Sequence, residues 1–178
     1  NTSGNMTISN TSLISAAGAT GPLLRVNGGS GIMTFSSTDA FLFGSIQNSS
    51  GQEALVVENM AGGRFTMSKA SVTDNGGKGV VIRNNVGGSA TIDNLVSTNA
   101  STNALLIENS SGDYNFTKSN PQIAAMSATG STEQAILING LTGRATFNTD
   151  VSIVDRQAGG IEIAGSAGRE QLVIGPLL

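Results

Sequence analysis

The sequence predicts an all-β fold, a single-stranded parallel β-helix in which short strands stack coil upon coil. Three observations support it: the apolar residues alternate in short runs, the runs recur about every 25 residues, and glycine-containing bends separate them. Alternation over about three to five residues is typical of strands, and no stretch keeps the i, i+3, i+4 spacing of a helix. A unit this short cannot bury its apolar side chains alone and buries them by stacking on its neighbours.

The first strand of each coil is the clearest element. The runs align at residues 24–27, 55–59, 80–84, 105–109, 136–140 and 161–165. The residues predicted to point inward are Val26, Val57, Ile82, Ile107, Ile138 and Ile163, at spacings of 31, 25, 25, 31 and 25 residues. The period is therefore 25 residues with a six-residue insertion at two places, which predicts about six to seven coils.

Two further strands complete each coil. The second alternating run follows the bend and occurs at residues 6–8, 32–35, 65–67, 90–92, 114–116 and 145–147. A third, less regular apolar cluster occurs at 13–14, 41–43, 72, 95–96, 123 and 151–154. Each coil is therefore predicted to contain three short strands.

The repeated pattern is apolar-x-apolar-x-Asn, then a glycine within a few residues, then apolar-Thr-apolar. It resembles the right-handed parallel β-helices of the pectate-lyase-like superfamily and of bacterial surface adhesins, and the resemblance covers essentially the whole chain. We expect residues 1–178 to form one β-helix domain that is a segment of a longer repeat protein or fibre. The right-handed coil is an implication of the resemblance.

The composition excludes several classes of function. The chain contains no cysteine and no histidine, which removes thiol catalysis, disulfides, Ser-His-Asp triads and the usual zinc sites. A net charge of -3 with only 12% charged residues argues against nucleic-acid binding, which needs a basic surface. No run approaches the ~18 apolar residues of a membrane helix. No metal or cofactor is predicted.

Stacking turns each repeat position into a column of side chains. One column contains Asn27, Asn59, Asn84 and Asn109, with Gly140 and Gly165 after them. Asparagine tolerates left-handed backbone and forms amide ladders, so we predict a buried structural ladder at the bend. The residue before the bend is predicted to face outward with alternating charge, in the series Arg25, Glu58, Arg83 and Glu108.

An aliphatic column is the most informative for function. Its members should point outward, because both neighbours of each residue point inward. They are Leu23, Val56, Val81, Leu106 and Leu137. Single exposed apolar residues are normal on a protein surface, but five aliphatic side chains in one column would form a continuous apolar patch. Two interpretations stay open: an inserted loop covers this outward stripe, or the stripe is a contact surface for self-association.

A threonine column on the second strand has a separate interpretation. The residues at equivalent positions in this column are Thr7, Thr34, Thr66, Thr91, Asn115 and Thr146. Such arrays resemble those of ice-binding β-solenoids, but charges flank this column, and threonine is a favoured residue in exposed strands. We therefore prefer a structural role.

Enzymatic activity is not predicted. Lyases and hydrolases that the chain resembles cluster aspartates with Arg or Lys on one strand face, often with calcium. The weak candidates here are Asp93, Asp113, Arg64 and Arg144. Two carboxylates on adjacent coils could form an acid/base pair or a weak calcium site, whereas single Asp and Arg residues on neighbouring coils are ordinarily solubilising pairs.

The predicted function is that of a structural or adhesive β-helix module in an extracellular surface protein, stalk or fibre. A cysteine-free, low-charge chain rich in Ser, Thr, Asn and Gly suits a rigid spacer outside the cell. Its expected partners are itself or other parts of its parent chain, with surface glycans as a further candidate. The alternative is a carbohydrate-processing or carbohydrate-binding β-helix similar to polysaccharide lyases.

Overall fold

A computed structural model gives the architecture. It describes residues 3–9, 13–16, 20–36, 44–48, 53–68, 70–73, 77–98, 100–119, 126–129, 133–149, 151–154, 159–165 and 172–174. These residues form nineteen strands and no helix. None of them forms an apolar helical segment that could cross a membrane.

The strands are short and follow one another in a fixed order around the coil. In chain order they are β1 (Met6–Ser9), β2 (Leu13–Ala16), β3 (Leu24–Asn27), β4 (Ile32–Ser36), β5 (Gly44–Asn48), β6 (Leu55–Glu58), β7 (Arg64–Met67), β8 (Ala70–Thr73), β9 (Val80–Arg83), β10 (Ser89–Asp93), β11 (Val96–Thr98), β12 (Leu105–Ser110), β13 (Asp113–Thr117), β14 (Met126–Thr129), β15 (Ile136–Leu141), β16 (Arg144–Asn148), β17 (Val151–Val154), β18 (Ile161–Ala164) and β19 (Leu172–Ile174).

Every third strand pairs in parallel, which makes three sheets along the stack. Sheet 1 has seven strands in the order β1-β4-β7-β10-β13-β16-β19. Sheet 2 has six, β2-β5-β8-β11-β14-β17, and sheet 3 has six, β3-β6-β9-β12-β15-β18. All of these pairings are parallel. The predicted all-β parallel β-helix with three strands per coil is confirmed.

The register in sheet 3 is the one that the repeat predicts. Val26 pairs with Val57, which pairs with Ile82, and the column continues through Ile107 and Ile138 to Ile163. From Val26 to Ile163 the mean step is (163 − 26)/5, or 27.4 residues. It exceeds the predicted 25 because two of the five steps contain six inserted residues.

The third strand is where the predicted boundaries shift. Apolar clusters at 41–43 and 123 lie outside the described residues, and the strands of those coils begin after them, as β5 and β14. Leu95 is buried immediately before β11. The pattern is weaker here because these strands have few alternating apolar residues.

One continuous apolar core fills the interior of the stack. Val57, Ile82 and Ile107 are fully buried within it. In sheet 1, large and small residues alternate down one inward column, which runs Phe65, Ala90, Tyr114, Ala145. The neighbouring inward column contains Phe116 and Phe147, whose rings stack with centroids 4.8 Å apart. This interdigitation of large and small side chains fills the narrow interior.

Candidate functional site

The bend after the first strand is formed by residues in the left-handed region. They are Asn59, Asn84, Asn109, Gly140 and Gly165, with φ of 56°, 54°, 46°, 67° and 64°. The prediction is wrong for Asn27, because β3 pairs Asn27 with Glu58 and Gly28 has the left-handed backbone there, with φ of 74°. The amide of Asn59 donates to Asn27 Oδ1 at 2.9 Å.

The asparagines of this column are exposed, so the burial predicted for the ladder is wrong, although Asn59 and Asn27 are joined by the amide hydrogen bond that a ladder requires. The buried amide belongs to the next residue, Asn85, which is 2% exposed. Its Oδ1 accepts from the Met60 N–H at 2.8 Å, and its Nδ2 donates to the Val57 carbonyl at 3.3 Å. Asn85 thus joins two coils inside the bend, and no sequence pattern distinguishes it from the asparagine before it.

The outward aliphatic column differs from its prediction in one member. The register of sheet 3 aligns Arg25, Val56, Val81, Leu106, Leu137 and Glu162. Leu23 precedes β3 and packs against the main core. Arg25 therefore occupies the place assigned to Leu23, and it does not belong to the charge column in which it was predicted.

The solvent exposure predicted for this stripe is wrong as well. Val56 and Val81 are 0% exposed, and Leu106 is 5% exposed. They form a cluster separate from the main core, with Leu137 partly buried against it. The side chains thus point away from the main core, as alternation requires. They are nevertheless buried, so they do not offer an apolar surface to another chain.

A network of charged side chains lies beside this cluster. Glu58 is 2% exposed and accepts hydrogen bonds from Arg25 Nε at 2.6 Å and Arg83 Nε at 2.7 Å. Arg83 Nη1 also donates to Glu53 Oε1 at 2.6 Å. The alternation of Glu58, Arg83 and Glu108 down adjacent coils is present in the register.

The pKa values of the buried members follow from this pairing. Burial alone would raise the pKa of Glu58, but hydrogen bonds and attraction from Arg83 and Arg25 outweigh it and hold the pKa below its usual value. Burial would likewise lower the pKa of Arg83, and its bonds to Glu58 and Glu53 raise it instead. The network therefore keeps a buried carboxylate ionised, which is a structural role.

The candidate carboxylate pair of the second strand does not form. Asp113 pairs with Ser89, and Asp93 pairs with Thr117, so the aspartates lie four positions apart along neighbouring strands. Four strand residues span roughly 13 Å, which is beyond a shared proton or a shared cation. Among the described residues, no group of three or more acidic side chains could hold a metal ion.

Asp93 is used locally. Its Oδ1 accepts from Thr117 Oγ1 and from the Ser119 N–H, both at 2.9 Å. Its Oδ2 accepts from Asn94 Nδ2 at 2.8 Å and from the Ser119 hydroxyl. These four hydrogen bonds to one carboxylate connect two coils at the end of β10. Each carboxylate oxygen already accepts two of them, which indicates a structural role for Asp93.

The other three candidates share one exposed column. Arg64, Ser89, Asp113 and Arg144 follow one another in register. Arg64 and Asp113 border a shallow depression of about 430 Å³ whose floor contains Gly62, Gly63 and Gly88. The column is an exposed series of mixed charge without a second carboxylate.

A glycine column underlies this depression. Each strand of sheet 1 from β4 to β16 is preceded by one of Gly31, Gly63, Gly88, Gly112 and Gly143. A Cβ on Gly112 would lie 2.8 Å from the Gly88 carbonyl oxygen and 2.7 Å from Tyr114 Oη. The glycines are required because the coils approach too closely for any side chain. The sequence shows a glycine at every bend, but not this reason for it.

At the two ends of the described stack, apolar residues that occupy core positions reach solvent. Met6 and Ile8 of β1 are 44% and 39% exposed, and Ile161 and Ile163 of β18 are 40% and 44% exposed. Their register equivalents inside the stack are buried; Ile107, for example, is 0% exposed. The end strands of each sheet pair on one side only. In β1 and β18, core-type side chains therefore lie beside a strand edge that no other described strand pairs with.

A comparison with protein-family models, curated proteins and solved structures finds no significant match to this chain.

Proposed function

We propose that the protein is a structural or adhesive β-helix module of an extracellular surface protein, stalk or fibre, and that it associates with itself or with its parent chain through the ends of its coil stack. One observation carries the proposal: inward-facing apolar residues of β1 and β18 are about 40% exposed, whereas their register equivalents in the middle coils are buried. Solenoid proteins need polar caps at their ends to remain soluble and separate. The described end strands β1 and β18 instead have exposed apolar side chains.

The faces of the stack support the same proposal. The outward face of sheet 1 carries threonine, serine and single charges, and the aromatic residues of its described strands, such as Phe65 and Tyr114, point inward and are buried. A sugar-binding face ordinarily offers aromatic surfaces or paired carboxylates. The separation of Asp93 from Asp113 removes the best candidate for the carbohydrate-processing alternative.

Light scattering after size exclusion, over a range of protein concentrations, tests the self-association. We expect the parent protein to form assemblies, and we expect Ile163→Lys to weaken them because it places a charge at an exposed end. The control is Val86→Lys, since Val86 is 77% exposed in a bend of the middle coils. A parent that stays monomeric at high concentration contradicts the proposal, as does an equal loss in both variants.

A glycan array tests the adhesive role separately. Selective binding of a defined glycan supports an adhesive module. Absence of binding, together with assembly in the scattering experiment, restricts the function to that of a structural module.

A further inference from the structure

We infer that the side chain of Arg83 is a polar strap that closes the outward aliphatic cluster, that Glu58 and Glu53 hold it at the two ends of β6, and that protonation of these carboxylates opens it. The strap lies within a single copy of the chain, so it does not depend on the proposed self-association. The position of Arg83, the burial beneath it and the charges around it support the inference in turn.

Arg83 reaches both ends of β6. It is the last residue of β9, and its Nε donates at 2.7 Å to Glu58, the last residue of β6. Its Nη1 donates at 2.6 Å to Glu53, which lies just before β6 begins. Between these two carboxylates, Val56 points outward from β6, and Val81 is its register neighbour on β9. A guanidinium group that is bonded at both ends of the strand therefore lies across these two valines.

Burial of the aliphatic column is deepest under the strap. Val56 and Val81 are 0% exposed, Leu106 is 5% exposed, and Leu137, one coil further, is only partly buried. The side chain of Arg83 itself is 24% exposed, so it lies nearer to the solvent than the valines do. The methylene groups of an arginine cover apolar surface well while its charged end stays in contact with water and carboxylates. The strap thus separates the cluster from solvent.

Two carboxylates hold the strap in place. Glu58, the buried one, accepts hydrogen bonds from Arg83 of β9 and from Arg25 of β3, so both strands beside β6 face it with a cation. Glu53 lies where the N–H of the next residue donates to the Lys78 carbonyl, and its Oε1 accepts from Arg83 Nη1. Hydrogen bonds between charged groups are roughly twice as strong as those between neutral groups. Loss of either charge therefore weakens the strap.

Acidification removes these charges. Burial raises the pKa of Glu58, but its bonds to Arg83 and Arg25 outweigh burial and hold the pKa below the usual 4.5. The stabilisation of the closed strap is therefore present above pH 4.5 and is lost as the pH falls through the lowered pKa. Arg83 also has Glu108 as its register neighbour on β12. The released guanidinium group therefore has an acidic neighbour away from Val56.

Thiol labelling tests the strap, because the chain contains no cysteine and each introduced thiol reports on one site. Val56→Cys places the thiol under the strap, and Val57→Cys places it in the main core, on the other side of the same strand. Cysteine is a small apolar residue that suits both positions. The reaction with dithiodipyridine is followed by absorbance. The ratio of the two labelling rates cancels the dependence of the reagent itself on pH.

Removal of the strap should raise this ratio. Arg83→Ala should increase it at least about tenfold at neutral pH, since it exposes the outward cluster and leaves the core closed. Arg64→Ala is the matched control, because Arg64 is an exposed arginine of the same coil on sheet 1. It should leave the ratio unchanged. Glu53→Ala detaches one end of the strap and leaves Glu58 paired, so it should raise the ratio by a smaller factor. This variant decides the result if circular dichroism shows that Arg83→Ala does not fold.

Acidification should raise the same ratio as the pH falls below about 4.5. In a Glu58→Gln background the ratio should already be raised at neutral pH and should change less on acidification. An unchanged ratio in both Arg83→Ala and Glu53→Ala would overturn the strap, since other groups would then cover the cluster. Equal acceleration at both thiols would overturn it too, because it reports global unfolding. If the ratio responds to Arg83→Ala and not to acid, the acid opening is wrong and the strap stands.

Discussion

Ile107 and Leu106 are adjacent residues on opposite sides of the same strand, and both are buried. Ile107 lies in the main core between Ile82 and Ile138, and Leu106 packs with Val56 and Val81 in the separate cluster. Alternation alone predicts that only the inward residue matters for stability. The burial of both implies that both sides of β12 contribute.

We therefore expect Ile107→Ala and Leu106→Ala each to lower the free energy of unfolding by about 2–5 kcal/mol, because each leaves a cavity in a packed cluster. Urea unfolding measures both. Val86→Ala, at a position that is 77% exposed, is the control and should change stability little. A Leu106→Ala protein as stable as this control would show that the outward cluster is open.

The buried carboxylate of Glu58 should make stability depend on pH. Its pKa is lowered in the folded protein relative to the usual 4.5, so its stabilising contribution is present above pH 4.5. That contribution is lost as the pH falls through the lowered folded pKa. We expect unfolding midpoints in urea to decrease on acidification in the parent protein and to decrease less in Glu58→Gln.

Glu162→Gln is the matched control for this pH dependence, since Glu162 is exposed at the end of the stack. The urea unfolding midpoints of this variant should decrease on acidification as much as those of the parent protein. The comparison covers pH values on both sides of about 4.5, the usual pKa of glutamate. If Glu58→Gln and the parent protein lose the same amount of stability there, other carboxylates cause the pH dependence.

At the scale of the elements, the strands of sheet 1 depend on the glycine column that precedes them. The Asp113 N–H donates to the Gly88 carbonyl and the Arg144 N–H donates to the Gly112 carbonyl, both at 3.1 Å. Hydrogen bonding therefore continues from the strands into the bends, where the backbones of adjacent coils are in direct contact. The strand and its bend form one parallel ladder.

We expect Gly112→Ala to destabilise the protein by about 1–3 kcal/mol, because its methyl group overlaps the Gly88 carbonyl and the coils must move apart. The control is Gly21→Ala, since a Cβ there meets nothing within 4 Å and its φ is not positive. Thermal unfolding compares the two. Equal melting temperatures would show that the bend relaxes without cost.

The whole molecule is a linear stack, and its stability should vary along its length. A middle coil has neighbours on both sides, whereas the first and last coils have one. We expect backbone amides of β9 and β12 to exchange with deuterium much more slowly than those of β1 and β18. Uniform protection along the chain in hydrogen-exchange mass spectrometry would contradict a stack with open ends.

Concentration should change this exchange pattern if the ends are covered by other copies. Amides of β18 and β3 should become protected as the protein concentration rises, and those of β9 should not change. The middle coil thus serves as an internal control within one experiment.

The sequence by itself determined the periodic part of the structure. The spacing of Val26, Val57 and Ile82 sets the coil, and because parallel strands in a stack align equivalent residues, the same spacing sets the register of sheet 3. Asp93 lies at the end of one alternating run and Asp113 at the start of the next, so the distance between them also follows from the sequence once the runs are aligned. The register therefore separates the two weak candidate carboxylates, although they lie on adjacent coils.

Only the tertiary structure decided what lies outside the period. Alternation tells which side of a strand Val56 and Val81 occupy, but whether that side is covered depends on the packing around it, and here the side chains are buried. The burial of Asn85 and Glu58 has the same origin, since the coils around them supply the hydrogen bonds. The exposure of Ile161 and Ile163 is also a property of the tertiary structure, because their register equivalents Ile136 and Ile138 are buried in the same type of strand.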